Sequence, residues 1–142
     1  MISVYTDGCC VPNPGTGRFS FVVIKNDLEV LYKYQSKISD ITTTNNRCEC
    51  LGIIYALKWL HNQNVQYATI YTDSKIYYDH YVYMICFNKI KKIKKKGTKN
   101  QDLLNLMLPL VTNRFTIKWI KGHSGHKWND LADQLASINS RG

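Results

Sequence analysis

The chain has 142 residues, 44% of them hydrophobic, and a formal net charge of +9. This length fits one domain with one core, and the cationic surplus indicates a polyanionic partner, with nucleic acid ahead of an anionic membrane. No apolar run approaches the ~18 residues of a membrane helix, and the first residues lack a basic n-region and a cleavage site. Five cysteines without a C-x-x-C pair favour reduced thiols over a zinc site or a disulfide framework. We therefore expect an intracellular, cytoplasmic protein without a membrane partner.

The first predicted elements are three strands. Residues 2–7 alternate Ile, Val and Thr with smaller or polar residues, which is typical of a strand. The glycines and prolines between Gly8 and Gly17 predict a turn. Residues 19–25 and 28–38 are rich in strand formers, and Asn26-Asp27 between them indicates a hairpin. These segments predict an antiparallel meander.

Helices and two further strands follow this meander. A polar loop over residues 42–46 precedes apolar positions with helical spacing. The pattern predicts a helix from Arg47 to His61, a buried strand from Val65 to Thr72, helices from Ser74 to His80, Tyr81 to Lys96 and Asp102 to Leu110, a strand from Phe115 to Ile120, and a last helix from Trp128 to Ile138. This order predicts an α/β fold. A mixed five-stranded sheet, three antiparallel strands plus two parallel, is flanked by helices in a single domain over residues 1–142.

Four acidic residues lie in contexts that predict one shared site: Asp7, Glu49, Asp73 and Asp133. Asp7 and Asp73 close predicted strands, and the carboxyl ends of adjacent strands are where open α/β sheets bind ligands. Glu49 and Asp133 lie in the first halves of two helices that could start over the same sheet edge. Taken singly, each acid could be a cap or a surface charge, and Glu49 could stabilise the helix dipole.

Clustered carboxylates repel one another unless cations neutralise them. Oxygen ligands suit Mg²⁺ or Mn²⁺ and disfavour Zn²⁺. Two such ions, about 3.5–4 Å apart, can activate a water and stabilise the leaving oxygen of a phosphodiester. The four acids therefore predict a divalent metal site that acts on a phosphodiester.

The motifs around these acids resemble those of type 1 ribonuclease H. They are Thr6-Asp7-Gly8-Cys9-Cys10, Asn13-Pro14-Gly15, Thr43-Thr44-Asn45-Asn46-Arg47-x-Glu49, Thr72-Asp73-Ser74, Gly122-His123-Ser124-Gly125-His126 and Asn129-x-x-Ala132-Asp133-x-Leu135-Ala136. The match runs in order across essentially the whole chain. It implies the ribonuclease H fold and Mg²⁺-dependent endonucleolytic cleavage of the RNA strand of RNA–DNA hybrids, leaving 3′-hydroxyl and 5′-phosphate ends. It also implies that the four acids are the catalytic residues and the ligands of two metal ions.

His123 lies in a Gly-rich loop ten residues before Asp133. A histidine there can transfer a proton near neutrality. The family uses a histidine at the matching position for proton transfer or product release, so we expect a catalytic role. Without the resemblance, His123 could be a surface histidine. His126 matches the second histidine of the motif, and we expect it to be structural.

Neutral polar residues are candidates for substrate contacts. The resemblance implies that Asn13, Asn45 and Asn46 contact the minor groove, where the 2′-hydroxyl identifies RNA. Amides can donate and accept there without neutralising the site, although turn geometry alone could explain them. Thr44 matches a residue that binds a DNA-strand phosphate, and Asn100 resembles another position on the phosphate side.

The segment from Lys89 to Lys99 has seven lysines and no acid. It resembles the basic protrusion of bacterial-type members, which would lie around residues 81–99, although a lysine run is usually a solvated face. The lysines expected to bind phosphates are Lys89, Lys91, Lys92, Lys94, Lys95 and Lys96. Lys75 replaces a Gln that usually lies by the minor groove, so we expect it to contact substrate and to alter hybrid preference.

Two alternatives remain open from the sequence. One is another nuclease on the same fold, such as a junction resolvase or a transposase-like core, and the residues suited to 2′-hydroxyl recognition speak against it. The other is a non-catalytic binding or accessory module, such as one detached from a reverse transcriptase. The set of four acids speaks against that, because a pure binder gains nothing from clustered repelling charges. We expect a monomer whose partner is an RNA–DNA hybrid duplex.

Overall fold

The structure, a computed structural model, describes residues 1–91, 99–122 and 124–137. The elements are β1 (Ile2–Cys10), β2 (Gly15–Lys25), β3 (Glu29–Thr43), α1 (Asn45–Asn62), β4 (Ala68–Thr72), α2 (Lys75–Phe87), α3 (Gln101–Met107) with a 3₁₀ turn (Leu108–Leu110), β5 (Phe115–Trp119) and α4 (Lys127–Ala136). The strands form one sheet in the order β3-β2-β1-β4-β5, in which β1, β2 and β3 are antiparallel and β4 and β5 are parallel to β1. The predicted fold class is confirmed. Among the described residues, no helix is both long enough and apolar enough to cross a membrane.

The turn between β2 and β3 follows the sequence prediction. Asn26 and Asp27 both adopt left-handed backbone, with φ of 53° and 63°. Asn and Asp tolerate this conformation better than other residues with a side chain. The β3 strand is longer than predicted and continues to Thr43, with a register shift in its pairing to β2 between Gly15 and Gly17.

The helix after β4 differs from the sequence prediction. Two helices were expected, from Ser74 to His80 and from Tyr81 to Lys96, whereas α2 runs unbroken from Lys75 to Phe87. Its buried side chains continue along one face through the expected break. Asn88 ends the helix with a φ of 54°, and its N–H donates to the Met84 carbonyl at 2.8 Å. The first part of the expected basic protrusion is therefore the second half of α2.

The sheet carries a core on each face. Because successive strand residues point to opposite faces, Val4 contributes to the larger cluster with α1, whereas Tyr5 packs with Trp128 and Ala132 of α4. Ser20 on β2 donates its hydroxyl to the Ala132 carbonyl at 2.6 Å. The two helices thus hold the central strands between them.

Strand β1 and helix α1 approach each other backbone to backbone at Gly8. A Cβ at Gly8 would lie 2.3 Å from the Cys48 carbonyl carbon and 2.4 Å from the Glu49 nitrogen. One helical turn further on, a Cβ at Gly52 would lie 3.1 Å from the Asp7 carbonyl oxygen. Only glycine at position 8 lets α1 lie this close, and this approach places Glu49 beside Asp7.

We expect Gly8→Ala to destabilise the protein by about 3 kcal/mol or more, because the added methyl meets backbone that cannot move aside. Gly52→Ala is the matched control at the same interface. Its Cβ needs a shift of only a few tenths of an ångström, and alanine gains about 1 kcal/mol of helix propensity over glycine. The measurement is the unfolding free energy from urea titration. Equal losses in the two variants would contradict the backbone approach.

Candidate functional site

Three carboxylates meet at one edge of the sheet. One oxygen from each of Asp7, Glu49 and Asp73 lies within 4.8 Å of the others. The parallel register of β1 and β4 pairs Tyr5 with Tyr71. Asp7 and Asp73 each follow that pair by two residues, so the strand alignment makes them neighbours. Glu49 reaches them because of the close approach at Gly8.

Asp133 joins the same group from the opposite face of the sheet. Its carboxyl group hydrogen-bonds to that of Asp7, and all four acids line one open groove of about 500 Å³. The anchor is the hydrogen bond from Ser20 to Ala132, since Ser20 is the cross-strand neighbour of Asp7. The structure therefore brings together the four acids that the sequence singled out.

The group of acids is electrostatically unfavourable without a counter-charge. Burial first, then the charge of Asp73 and the hydrogen bond that protonated Asp7 donates to Asp133, raise the pKa of Asp7 to about 8. Burial, followed by the charges of Asp7 and Asp73, raises the pKa of Glu49 well above its ordinary value. Both shifts mean that the ionised carboxylates repel one another in a poorly solvated place.

The donor set fits a hard divalent cation. Glu49 Oε2 is buried and has no hydrogen-bond partner in the described part of the chain. A buried oxygen left unpaired costs about 1–3 kcal/mol, which metal ligation would offset. Carboxylate oxygens are the ligands that such cations prefer. Asp7, Glu49 and Asp73 could therefore hold a metal ion, with Asp133 beside them.

The last residue of β5 and the segment after it pack closely against Asp73. Trp119 donates its indole N–H to the Asp73 carbonyl at 3.0 Å, and a Cβ at Gly122 would lie 2.7 Å from Asp73 Oδ2. Sequence reasoning did not single out either residue for this role, although Gly122 opens the Gly-His-Ser-Gly-His motif. The predicted catalytic residue His123 lies outside the described residues. His126 packs against Tyr5, with ring centres 5.0 Å apart.

A second cleft, of about 560 Å³, adjoins the carboxylate groove on the α1 side. Its lining is Asn13, Pro14, Thr44, Asn45, Asn46, Lys99 and Asn100. Asn45 and Asn46 line both clefts. Asn13 Oδ1 accepts from the Asn45 N–H at 3.1 Å, and Asn45 Oδ1 accepts from the Cys10 N–H at 2.6 Å. The structure thus brings Thr44, Asn100 and the three predicted asparagines together.

An ion pair that the sequence did not indicate holds the far wall of this second cleft. Arg47 binds both carboxylate oxygens of Asp102, at 2.8 and 3.0 Å, and donates to Asn100 Oδ1 at 3.2 Å. Asn100 in turn donates to the Tyr77 hydroxyl at 2.8 Å and has a φ of 59°. Hydrogen bonds from Arg47 lower the pKa of Asp102. Residues of two helices, Arg47 on α1 and Tyr77 on α2, therefore fix the side chain of Asn100.

The predicted substrate-binding lysines are distributed unevenly. Lys75 lines the carboxylate groove, with its Nζ 3.5 Å from Asp79 Oδ1 and 4.7 Å from the centre of the Tyr78 ring. Lys89 and Lys91 are exposed beyond the end of α2. Four further lysines lie outside the described residues, namely Lys92, Lys94, Lys95 and Lys96.

Clustered carboxylates at the strand ends of this α/β fold define a class of metal-dependent hydrolases. The family model described as RNase H matches residues 1–141. The chain belongs to the RNase H family, and the resemblance drawn from its motifs is confirmed.

Individual relatives agree with this assignment. The chain is 39% identical to a ribonuclease H of Pseudoalteromonas translucida, over 95% of this chain and 86% of the relative. It is 40% identical to a ribonuclease H of Buchnera aphidicola, over 99% and 90%. Among solved structures, it matches LC11-RNase H1 in complex with an RNA/DNA hybrid with a TM-score of 0.73 at 20% identity, covering 96% of this chain and 94% of that one. The latter likeness shows the fold alone.

The raised pKa values predict how pH acts on the metal-free protein. Asp7 keeps its proton up to about pH 8 when folded but loses it near about pH 4 when unfolded. The folded state therefore binds more protons in this window, and stability falls as the pH rises through it. Cation binding competes with these protons, so the gain in Tm on adding Mg²⁺ should increase from pH 6 to pH 8.5.

Asp7→Asn tests this account by thermal melts in EDTA and in Mg²⁺. The variant should melt several degrees above the parent at pH 8.5 in EDTA, because one repelling charge is gone, and should gain little from Mg²⁺. Asp27→Asn, in the β2–β3 turn, is the control and should behave like the parent. A parent whose Tm in EDTA does not change over this pH range would contradict the predicted repulsion.

Proposed function

We propose that the protein is an endoribonuclease that hydrolyses the RNA strand of RNA–DNA hybrids. The observation that carries the proposal is the convergence of Asp7, Glu49 and Asp73 within 4.8 Å beside a cleft that has four asparagines in its lining. Membership of the RNase H family and the names of the curated relatives support the reaction. The hybrid bound by LC11-RNase H1 supports the substrate.

The four acids would hold two Mg²⁺ ions, for which Mn²⁺ could substitute. When bound, such ions supply an activated water and neutralise charge on the scissile phosphate. The chain itself contributes the orientation of the ligands. Asp7 and Asp73 are fixed by strand pairing, Glu49 by the approach of α1, and Asp133 by the attachment of α4 to β2. Hydrolysis would leave 3′-hydroxyl and 5′-phosphate ends, with His123 assisting proton transfer or product release.

The second cleft would distinguish a hybrid from other duplexes. The asparagines shared with the carboxylate groove, Asn45 and Asn46, would contact the minor groove together with Asn13, where a 2′-hydroxyl marks the RNA strand. Thr44 and Asn100 would bind a phosphate of the DNA strand, and Lys99 is the cation in the lining of the same cleft. The protein would therefore recognise the RNA strand by its 2′-hydroxyl groups and bind the DNA strand through its phosphates.

The net charge of +9 favours association with any polyanion. Lys75 in the carboxylate groove and the six lysines of the basic segment would add phosphate contacts that depend on salt. A monomeric state and a cytoplasmic location stay predictions from the sequence.

A cleavage assay on RNA–DNA, RNA–RNA and DNA–DNA duplexes of one sequence tests the proposal. We expect the parent with Mg²⁺ to cut the RNA of the hybrid alone. Asp7→Asn and Asp73→Asn should each lower kcat by at least about 10³-fold, since each removes a metal ligand, while hybrid binding in a filter assay persists. Asp27→Asn is the control with unchanged turnover. Cleavage of DNA–DNA would favour another nuclease of this fold, and binding without cleavage would favour an accessory module.

Arg47→Lys tests the wall of the second cleft. Lysine keeps the charge but cannot bind both Asp102 oxygens and Asn100 together, so the Asn100 side chain loses its orientation. We expect KM for the hybrid to rise roughly threefold to tenfold, kcat to stay within about twofold, and stability to fall by less than about 1 kcal/mol because the pair is exposed. Arg114→Lys, at the remote start of β5, is the control. An unchanged KM would show that Asn100 needs no such support.

A further inference from the structure

A row of two basic residues lies beside the carboxylate groove. Cys9, Arg18 and Lys37 are direct cross-strand neighbours on β1, β2 and β3, and Cys9 lines the groove. Two residues back along β1, on the same face of the sheet, Asp7 pairs with Ser20. Arg18 is therefore the diagonal neighbour of Asp7, at a distance of roughly 7–8 Å with the Cβ atoms somewhat closer. The basic row begins one step from the acids.

The row lies on the α4 face of the sheet. Ser20 and Gln35, each two residues from a member of the row, bind carbonyls of α4, at Ala132 and Leu135. Residues two apart on a strand share a face, so Arg18 and Lys37 are on this face too. The second cleft, with Asn13 and Asn45, lies by the start of α1 on the other side. The basic row and the asparagines thus flank the carboxylates from opposite sides.

The side chains of Arg18 and Lys37 form no ion pair within the part of the chain that the structure describes. Among the described residues, the ion pairs are Arg47 with Asp102 and Lys75 with Asp79. Arg18 has no side-chain hydrogen bond to another described residue, and its Nε is buried without a partner. Unsatisfied buried donors are rare, and each needs an explanation. One explanation is packing alone, in which the methylene groups of Arg18 cover the sheet.

We propose that Arg18 and Lys37 bind a phosphate of the RNA strand, adjacent to the scissile one, on the side away from the asparagines. This inference rests on the proposed function. The strand that crosses the carboxylates passes Cys9 and then meets this row, whereas the other strand is held at Thr44 and Asn100. A guanidinium fork matches two phosphate oxygens, and swinging outward would give the buried Nε an acceptor.

Methionine substitutions separate charge from packing. In Arg18→Met with Lys37→Met the apolar stems remain and the charges are lost. We expect KM for the hybrid to rise roughly tenfold at ~0.1 M salt and the slope of log KM against log salt to fall by about 1–2, with kcat and Tm close to the parent. Lys25→Met is the matched control, since Lys25 is exposed at the opposite end of β2. Unchanged KM and salt slope in a variant that still cleaves hybrid would overturn the proposal.

Replacing single phosphates of the hybrid by uncharged methylphosphonates identifies which phosphate Arg18 and Lys37 contact. Hybrids are made with one methylphosphonate at a time, in the RNA strand or in the DNA strand. In the parent, a methylphosphonate at one RNA position next to the cut should raise KM several-fold. In the double variant, the same methylphosphonate should raise KM no further, as in a double-mutant cycle. Equal penalties in parent and variant at every RNA position would overturn the assignment. If the parent cleaves no hybrid, the proposed function fails instead, so the two failures are distinguishable.

Discussion

The structure depends on holding like charges together. If a side chain at position 8 separated α1 from β1, Asp7 and Glu49 would lie further apart. Because Gly8 has no side chain, the helix backbone can contact the strand backbone. Backbone atoms then meet where side chains usually intervene. The packing of the cores on both faces of the sheet offsets the resulting repulsion. Without a metal ion, the raised pKa values of Asp7 and Glu49 favour protonated carboxyl groups at neutral pH. A bound cation would relieve this repulsion.

The two helices around the central strands supply chemically different surroundings. The α1 side presents amides and a hydroxyl in a cleft that also includes Lys99. The amides and the hydroxyl carry no charge and therefore do not neutralise the carboxylates. The α4 side brings the fourth acid by way of the Ser20–Ala132 hydrogen bond and leaves two basic residues one step away. Both sides are anchored to the same pair of strands. The positions of the four acids and of the proposed binding groups thus depend on the same two strands.

Local sequence patterns predicted the positions of residues that lie near the ends of strands and the starts of helices. Asp7 and Asp73 were expected to be neighbours, and they are, because β1 and β4 are parallel and pair Tyr5 with Tyr71. The predicted strand end at Asp7 was wrong, since β1 continues along β2 to Cys10 and Asp7 lies inside it. The Arg47–Asp102 pair was missed, because its partners are 55 residues apart and no periodicity links them. The continuous α2 was also missed, because aromatic residues on both sides of His80 fit one helix or two. The close approach of α1 to β1 at Gly8 depends on how the helix packs on the sheet. The sequence motif shows a glycine at this position but does not show which element packs against it.

For the asparagines, turn geometry and the proposed substrate binding are compatible explanations. The side-chain oxygens of Asn13 and Asn45 accept backbone N–H groups and so shape the loop and the start of α1. Among the described residues, their NH₂ groups have no hydrogen-bond partner. Each residue therefore uses its acceptor for the fold and keeps two donors for a ligand. Minor grooves offer acceptors at every base pair, and a 2′-hydroxyl adds one on the RNA strand. Donors held in this way suit a site that recognises the kind of strand and is indifferent to its sequence.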